Sequence, residues 1–577
     1  MSFDLLITNG LVIDGTGLPR RRADVAIRDG RIVGVGHFDK AEADRVLDAE
    51  GRVVAPGIVD PHTHYDPQLT FEPYGTSSCF HGVTTVLTGN CGFSIAPAKV
   101  EDREFITQIF ARVEDMAPGS LAAIPWSFES FPEFMASREG QLGINAAFYV
   151  GHCNLRRWVM GDDCTEREAT EAEIEAMRAL VREAMEAGAA GLSSTHAPTH
   201  LDAADRPVPS RLASKAELDA LVTEVGRANR GSISYLPYSS IGGLDEEDGD
   251  FLIDLALHSR LPIIIQGLGA RSKVDAPTAT WDNTRVYLDK ARAAGAGVYS
   301  MLMSRPFNRR FILKEGTSLF DGCPAFARLF TEASTVEERK AMLADPAYRD
   351  AIRFSVENPN RDPEKGSTLP PPHLDKVYVY DAKSPANQKR MGRSMAELAA
   401  DADGDMAPMD MMIEIALAED LAVEFIWRTE SDEWREGTLV ASQHPHMIIG
   451  TSDGGAHLGR DDGSEWSSYF FRYWVREWGA WELEEAVRQM TQQPAALLGL
   501  NDRGMLIPGY AADIMIFDPD RIGPGPKDFV HDFPNGEGRW CSKPEGVYAT
   551  IVNGVPIVLD GKLVPDCGLP GQVVRPG

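Results

Sequence analysis

The sequence has few of the features that mark membrane, secreted or nucleic-acid-binding proteins. It contains no apolar run long enough to span a bilayer, and Met1 to Gly10 leads into a strand pattern rather than a basic and apolar signal. Its 57 Lys and Arg residues face 86 Asp and Glu residues, and the net charge of −29 argues against nucleic acid and anionic membranes as partners. Seven cysteines lie without a paired spacing, which is typical of reduced thiols and predicts a cytoplasmic protein.

The stretch from Val53 to Asp66, VVAPGIVDPHTHYD, is the most informative part of the chain. Its β-branched residues predict a buried strand that ends in His62-Thr63-His64. Side chains two apart on a strand point to the same face, so both imidazoles enter one space. Two converging imidazoles indicate a divalent metal, such as zinc, although two His at this spacing can also arise by chance at a polar strand end.

The middle of the chain alternates strands with helical patterns, such as Thr170 to Ala187 and Ser214 to Asn229. Alternating strands and helices imply parallel pairing, and eight such strands imply a closed (β/α)8 TIM-like barrel in the α/β class. His62 and His64 then lie at the carboxyl end of the first strand, where such barrels place their active sites. The eight predicted strands are Val53–Val59, Val83–Thr88, Asn145–Val150, Ala190–Ser194, Ser232–Leu236, Pro262–Gln266, Gly297–Met303 and Met447–Thr451.

Both chain ends carry short strands with Asn-Gly or Asp-Gly turns. They predict one small, discontinuous β-sandwich domain built from residues 1–55 and 506–577, beside a barrel of residues 56–505. Between strands seven and eight lies an insertion, residues 306–445, rich in Pro and charge around Asn358 to His373. We interpret this insertion as a lid or an oligomer-contact segment.

Two further residues at strand ends can carry chemistry. Cys91 ends the second strand, where a thiolate could bind zinc, although a buried, inert cysteine is the usual alternative. Asp453 ends the eighth strand, before Gly454-Gly455. It could bind a metal and act as general base and acid, or it could simply cap the following turn.

Other side chains near the predicted barrel mouth are weaker candidates for contacting a substrate. His152 could orient substrate or make a structural hydrogen bond, and Arg305 could hold a carboxylate or lie in solvent. His196 and His200 could complete a metal shell, whereas His444, His446 and His457 are interpreted as structural or supporting. The substrate-binding hypothesis, which includes tyrosines that could stabilise an oxyanion, covers Tyr65, His152, His196, Tyr235, Tyr238 and Arg305.

Several motifs resemble those of the amidohydrolase superfamily, and of its N-acyl-D-amino-acid deacylase branch in particular. They are PGIVDPHTHYD, HGVTTVLTGNCGFS, GHCNLRRWVMG, EAGAAGLSS, GTSDGGAHL and the long segment from Leu483 to Pro519. The resemblance implies a metal-dependent barrel with a β-sandwich made from both termini. It implies that His62 and His64 are metal ligands, that Cys91 is the branch's bridging cysteine, and that Asp453 is both ligand and general acid/base.

The sequence also departs from this branch at four places. The branch expects a His at the ends of strands five and six, and SISYLPYSS and IIIQGLGAR contain none. The Lys and Tyr that hold a substrate carboxylate are absent as well, and Gly269 or a neighbour and Met301 stand roughly there. We therefore expect one metal ion rather than two, and a substrate that need not be an acylated D-amino acid.

These observations together predict a metal-dependent hydrolase of a C–N bond, an amide, in a small molecule. One alternative is hydrolysis of a cyclic amide or another C–N bond in a xenobiotic or natural product. The other is a non-catalytic barrel that has lost its metal and only binds a ligand. The long insertion suggests, by analogy alone, a homo-oligomer.

Overall fold

The computed structural model describes residues 2–577 except 205, 240–242, 266–280, 307, 315–316, 321, 361–372, 403 and 460. Its described residues form two compact units. One contains residues 2–265, 281–305 and 437–577, and the other contains residues 306–436. Within the described parts of the chain, no helix is long and apolar enough to cross a membrane.

The first unit contains a sheet of eight parallel strands in sequence order. The first and eighth strands meet at the carboxyl edge, where Thr63 bridges Gly454 and the His64 amide donates to the Gly454 carbonyl at 2.7 Å. This contact curls the sheet closed, and the predicted (β/α)8 barrel is confirmed. Its strands are Ile58–Asp60, Val83–Thr88, Asn145–Gly151, Gly191–Thr195, Ser232–Leu236, Ile263–Ile265, Val298–Leu302 and Met447–Ile449.

The predicted strand Val53–Val59 is in fact two strands, and the prediction of one was wrong. Val53–Pro56 pairs with Leu5–Val12 and with Ile514–Phe517, whereas Ile58–Asp60 opens the barrel. Gly57 separates them, and its amide donates to the Asp513 carbonyl at 2.8 Å. The break depends on partners far away in the chain, so the apolar run alone could not reveal it.

Gly57 is packed so closely that a side chain should not fit. A Cβ added there would lie 2.1 Å from Oγ1 of Thr84 in the second barrel strand. We therefore expect Gly57→Ala to lower the free energy of unfolding by about 1–3 kcal/mol or more, the cost of overpacking. Denaturant unfolding would measure this loss. The matched control is Gly297→Ala, where the nearest atom would be 3.6 Å away, and equal losses in the two variants would contradict the packing argument.

A nine-stranded sheet combines strands from both ends of the chain. Alternate residues such as Leu5, Ile7, Val25 and Ile27 join Ile514 in one apolar core, as the period of a strand requires. The predicted β-structure built from both termini is confirmed. The strands of this sheet are Leu5–Val12, Arg21–Arg28, Arg31–Gly36, Val46–Asp48, Val53–Pro56, Ile514–Phe517, Val547–Val552, Val555–Leu559 and Lys562–Leu563, and Gly523–Val530 pairs separately with Arg539–Glu545.

The helix Glu171–Ala187 begins and ends as its sequence indicates. Thr170 caps the predicted helix after strand three by accepting from the Glu173 amide, and Gly188 ends that helix with a φ of 99°. The helices that lie between or after the barrel strands are Arg103–Val113, Pro118–Leu121, Phe131–Arg138, His152–Met160, Glu171–Ala187, Lys215–Arg227, Glu246–Ser259, Trp281–Ala294, Asp432–Ser442 (which belongs to this unit from residue 437), Trp466–Tyr469, the π-helix Phe470–Glu477, Leu483–Met490 and Gln492–Leu497.

The second unit has a core of its own, which contains Phe311, Phe320, Phe326, Met412 and Phe425. Its three-stranded antiparallel sheet consists of Arg309–Ile312, Glu424–Trp427 and Val377–Asp381. Its helices are Pro324–Thr331, Val336–Ala344, Pro346–Glu357, Pro385–Gln388, Met395–Ala400 and Pro408–Leu417. Much of the predicted Pro-rich stretch, residues 361–372, lies outside the described residues, and a role as lid or oligomer contact stays a prediction.

Candidate metal centre

The two predicted imidazoles lie side by side at the end of the first barrel strand. The amide and hydroxyl of Thr63, between them, donate to the Leu87 carbonyl at 3.0 Å and 2.9 Å, so Thr63 faces the neighbouring strand. His62 and His64 therefore point the other way, and their Nε2 atoms are 3.3 Å apart. Both rings are buried, at 2% and 0% exposure.

Cys91 reaches the same place from the second strand. Its backbone is left-handed, with a φ of 57°, and the preceding Asn90 donates to the carbonyls of Leu87 and Thr63 at 3.0 Å and 3.2 Å. This turn directs the thiol toward the His pair, and Sγ lies 3.8 Å from Nε2 of His62.

Asp453 arrives from the eighth strand through a strained turn. Thr451 and Asp453 have φ angles of 105° and 58°, and the Ser452 hydroxyl accepts from the Gly454 amide at 2.8 Å. Oδ1 of Asp453 lies 3.4 Å from Nε2 of His62 and 3.3 Å from Nε2 of His64. The Asp453 side chain is 25% exposed, against 3% and 1% for the two His side chains, so the cluster opens at the carboxylate.

Four separations within this set of donors are close to those expected around a tetrahedral zinc ion. Zn–N and Zn–O bonds of about 2.0–2.1 Å place neighbouring ligand atoms roughly 3.4 Å apart, and a longer Zn–S bond widens this to roughly 3.6 Å. The three N/O separations of 3.3–3.4 Å and the N–S separation of 3.8 Å are close to those values. The ligand atoms of His62, His64 and Cys91 all lie within 4.8 Å of one another.

Burial and charge set the ionisation of these groups. Burial opposes ionisation of Asp453, but hydrogen bonds from His62 and His64 hold the pKa of its carboxyl well below the usual range. Burial lowers the pKa of His64, which keeps an imidazole lone pair available. Burial, with the nearby carboxylates of Glu114 and Asp453, raises the pKa of the Cys91 thiol, an effect that a bound cation would reverse.

Glu114 is a member of this cluster that sequence reasoning missed. It follows the helix Arg103–Val113 and is buried, and its carboxylate can join His64 and Asp453 within 4.8 Å. Burial, and then repulsion by Asp453 and Asp66, raise the pKa of its carboxyl well above the usual range. One signal was available in the sequence, because Glu114 and Asp115 stand at a helix C-terminus, where negative charge is unfavourable.

Two weaker histidine candidates also come close to the centre. Nε2 of His457, interpreted from sequence as structural or supporting, lies 3.6 Å from Oδ2 of Asp453 and 3.9 Å from Oε2 of Glu114. Nδ1 of His200 lies within hydrogen-bond distance, 3.0 Å, of the Thr195 hydroxyl. Burial lowers the pKa of its imidazole to about 3, with a further contribution from His64.

The remaining candidates for substrate contact have structural partners. Both ring nitrogens of His152 are engaged, by Ser194 at 2.9 Å and by Glu217 at 3.0 Å, and Glu217 also pairs with buried Arg156. His196 bonds to the hydroxyl of Tyr235 and, at 3.0 Å, to the Ala213 carbonyl. These imidazoles therefore lie in closed networks.

Tyr65 and Arg305 are buried among polar partners, whereas Tyr238 is exposed. The Tyr65 hydroxyl is buried against Ser78 at 2.8 Å. Arg305 is buried in an ion pair with Asp461 at 2.9 Å, which Lys527 joins. This arrangement is a closed charge network rather than an exposed Arg run. Tyr238 is 44% exposed.

The two strand ends where the branch carries a histidine can be described only in part. Strand five continues from Leu236 into Pro237 and Tyr238, without an imidazole. The end of strand six, with Gly269, lies outside the described residues. Met301 is buried in the barrel core.

Comparison with known proteins identifies the family. The profile described as "Amidohydrolase family" matches residues 45–348 and 391–558. The chain belongs to the amidohydrolase family. A second profile, the urease alpha-subunit N-terminal domain, matches residues 1–55. The prediction that the protein is an amidohydrolase, a hydrolase acting on carbon–nitrogen bonds other than peptide bonds, is confirmed.

Relatives of this amidohydrolase cover nearly the whole chain. An N-acyl-D-glutamate deacylase of Alcaligenes xylosoxydans xylosoxydans is 30% identical over 90% of the chain and 88% of its own length. A D-aminoacylase of the same organism is 29% identical over 96% and 94%. The solved N-acyl-D-glutamate deacylase of Bordetella bronchiseptica, complexed with zinc and a phosphonate inhibitor, is 26% identical, with a TM-score of 0.63 and full coverage of both chains. The predicted resemblance to the D-aminoacylase-like branch is confirmed.

Proposed function

We propose that this amidohydrolase removes an acyl group from the nitrogen of a small molecule, as N-acyl-amino-acid deacylases do, with one zinc ion held by His62, His64, Cys91 and Asp453. One observation carries the proposal. Donors from three separate strand ends converge on the His pair, with Cys91 and Asp453 each within 3.8 Å of Nε2 of His62, and the carboxylate among them borders the opening.

A zinc ion bound there would supply Lewis-acid chemistry, since zinc can lower the pKa of water toward neutrality and polarise a carbonyl oxygen. Asp453 transfers a proton from the attacking water to the leaving nitrogen. Its Oδ1 faces the His pair, which leaves Oδ2 to accept a proton from the attacking water. As the C–N bond breaks, Asp453 donates that proton to the departing amine. The products are a carboxylic acid and an amine, which become a carboxylate and an ammonium when the acid proton passes to the amine, and Asp453 returns to its ionised form.

The names of the relatives suggest an acylated amino acid as the substrate class. In this chain the branch's Lys and Tyr, which hold the substrate carboxylate, are not found at the matching positions, where Gly269 or a neighbour and Met301 stand. We therefore propose an N-acyl compound whose amine part is recognised differently. We further propose that the enzyme works in the cytoplasm, and that the insertion favours a homo-oligomer.

A panel of N-acyl compounds tests the substrate class. It would include N-acetyl-D- and L-amino acids, their carboxamides, simple N-acyl amines and cyclic amides, with release of free amine or ring opening as the readout. We expect linear N-acyl compounds to be hydrolysed. We also expect an N-acetyl amino acid and its carboxamide to be hydrolysed at rates within about tenfold of each other, because the two residues that hold a substrate carboxylate are absent. Turnover of cyclic amides alone would overturn the proposed class. No turnover by zinc-loaded protein would favour the ligand-binding alternative.

A further inference from the structure

Glu114 lies behind one of the two imidazoles of the metal centre. Nε2 of His64 is 3.3 Å from both Nε2 of His62 and Oδ1 of Asp453, so this nitrogen faces the centre. Nδ1, on the far side of the ring, lies 3.6 Å from Oε1 of Glu114. This separation is slightly too long for a hydrogen bond, but it is close enough that a small rotation of either side chain would make one.

The backbone holds this carboxylate in place. The Glu114 amide donates to the Phe110 carbonyl at 3.1 Å, and the Glu114 carbonyl accepts from the His457 amide at 2.6 Å. The second of these bonds ties the end of the helix to the loop that carries Asp453. Ile106, Ile109 and Phe110 anchor the helix in the core. A buried acid at this point has no evident use in packing, because burying a carboxylate costs stability unless it has a charged partner.

A carboxylate in this position can orient an imidazole that binds a metal. An imidazole that binds a metal through Nε2 must carry its proton on Nδ1. A carboxylate that accepts that proton's hydrogen bond fixes the tautomer and the ring orientation, and it makes Nε2 a stronger donor.

We propose that Glu114 is a positioning residue of the metal centre, which orients His64 through Nδ1 and thereby tightens zinc binding. The inference rests on the proposed function, because it requires zinc at His64. It adds a residue outside the four ligands, at the end of the helix Arg103–Val113 that follows strand two. Asp453 and His62 remain on the other side of the His64 ring, so Glu114 acts through His64 rather than on the substrate.

Zinc affinity of the full-length protein tests the proposal without reference to turnover. Zinc dissociation constants would be measured by chelator competition for the wild type, Glu114→Gln and Glu114→Ala. We expect both changes to weaken zinc binding by about 10- to 100-fold, the usual effect of removing such a partner. The cobalt-substituted variants should keep the thiolate charge-transfer band of the wild type, since Cys91 and the other ligands remain.

Glu104→Gln is the matched control. Glu104 lies on the helix that precedes Glu114 and is exposed, and its carboxylate accepts from Gln108 at 3.2 Å, so its loss should leave zinc affinity unchanged. A merely structural Glu114 would alter the melting temperature of the metal-free protein but not the zinc affinity. Equal affinity in the wild type and Glu114→Gln would overturn the inference alone. Loss of one of two bound ions in Glu114→Gln would make Glu114 a ligand and would also overturn it. Failure of the wild type to bind zinc would overturn the proposed function as well.

Discussion

Removing divalent cations with a chelator is expected to reduce turnover to the background rate, and one equivalent of zinc is expected to restore it. Free water has a pKa near 15.7, and zinc can lower it to about 7. Among the residues gathered at the centre, the carboxylate of Asp453 is far too weak a base to deprotonate water unaided. Turnover and bound zinc would be measured in parallel during a titration of the chelated protein.

The same titration separates the remaining hypotheses. An enzyme with one ion recovers full turnover at one equivalent, whereas a two-ion centre needs a second. A ligand-binding barrel that has lost its metal neither retains zinc through purification nor gains activity from it. Circular dichroism of the chelated protein is the control, because the barrel core does not depend on the ion. Full turnover in metal-free protein would refute the metal mechanism.

Local patterns were enough to predict the framework of this centre. Val83–Thr88 and Ser232–Leu236 were predicted to the residue, because short runs that contain β-branched or aromatic residues are a short-range signal. The common direction of His62 and His64 follows from the period of a strand, and it needed no tertiary information. The barrel followed from the alternation of strands and helices.

The features that sequence reasoning missed are all long-range. Whether Val53–Val59 forms one strand or two depends on Thr84 and Asp513, which approach Gly57 only in the folded chain. The partner of Arg305 is Asp461, 156 positions away. Glu114 lies next to His64 only because the fold brings the end of the helix Arg103–Val113 to the metal centre. Periodicity reports which face is buried, but it does not report which buried groups meet.

Replacing Asp453 by Asn is expected to lower kcat by about 100- to 10,000-fold, the range of general acid–base contributions. Asn keeps the shape of the side chain and can still accept from His62 or His64, so the fold should survive. It cannot take a proton from water or return one to the leaving nitrogen. Since Asp453 is also a proposed ligand, kcat would be measured at saturating zinc with the bound metal quantified.

The matched control for this change is Asp502→Asn, which removes a half-exposed ion pair with Arg31 at 3.1 Å. Such surface pairs contribute about 1 kcal/mol or less, so turnover in the control should equal that of the wild type. If zinc-loaded Asp453→Asn turned over at the wild-type rate, the proton would have to travel by another group, and His457, 3.6 Å from Oδ2, would be the nearest candidate. The large loss we expect would instead place proton transfer on the carboxylate of Asp453, which lies against the His pair and borders the opening of the site.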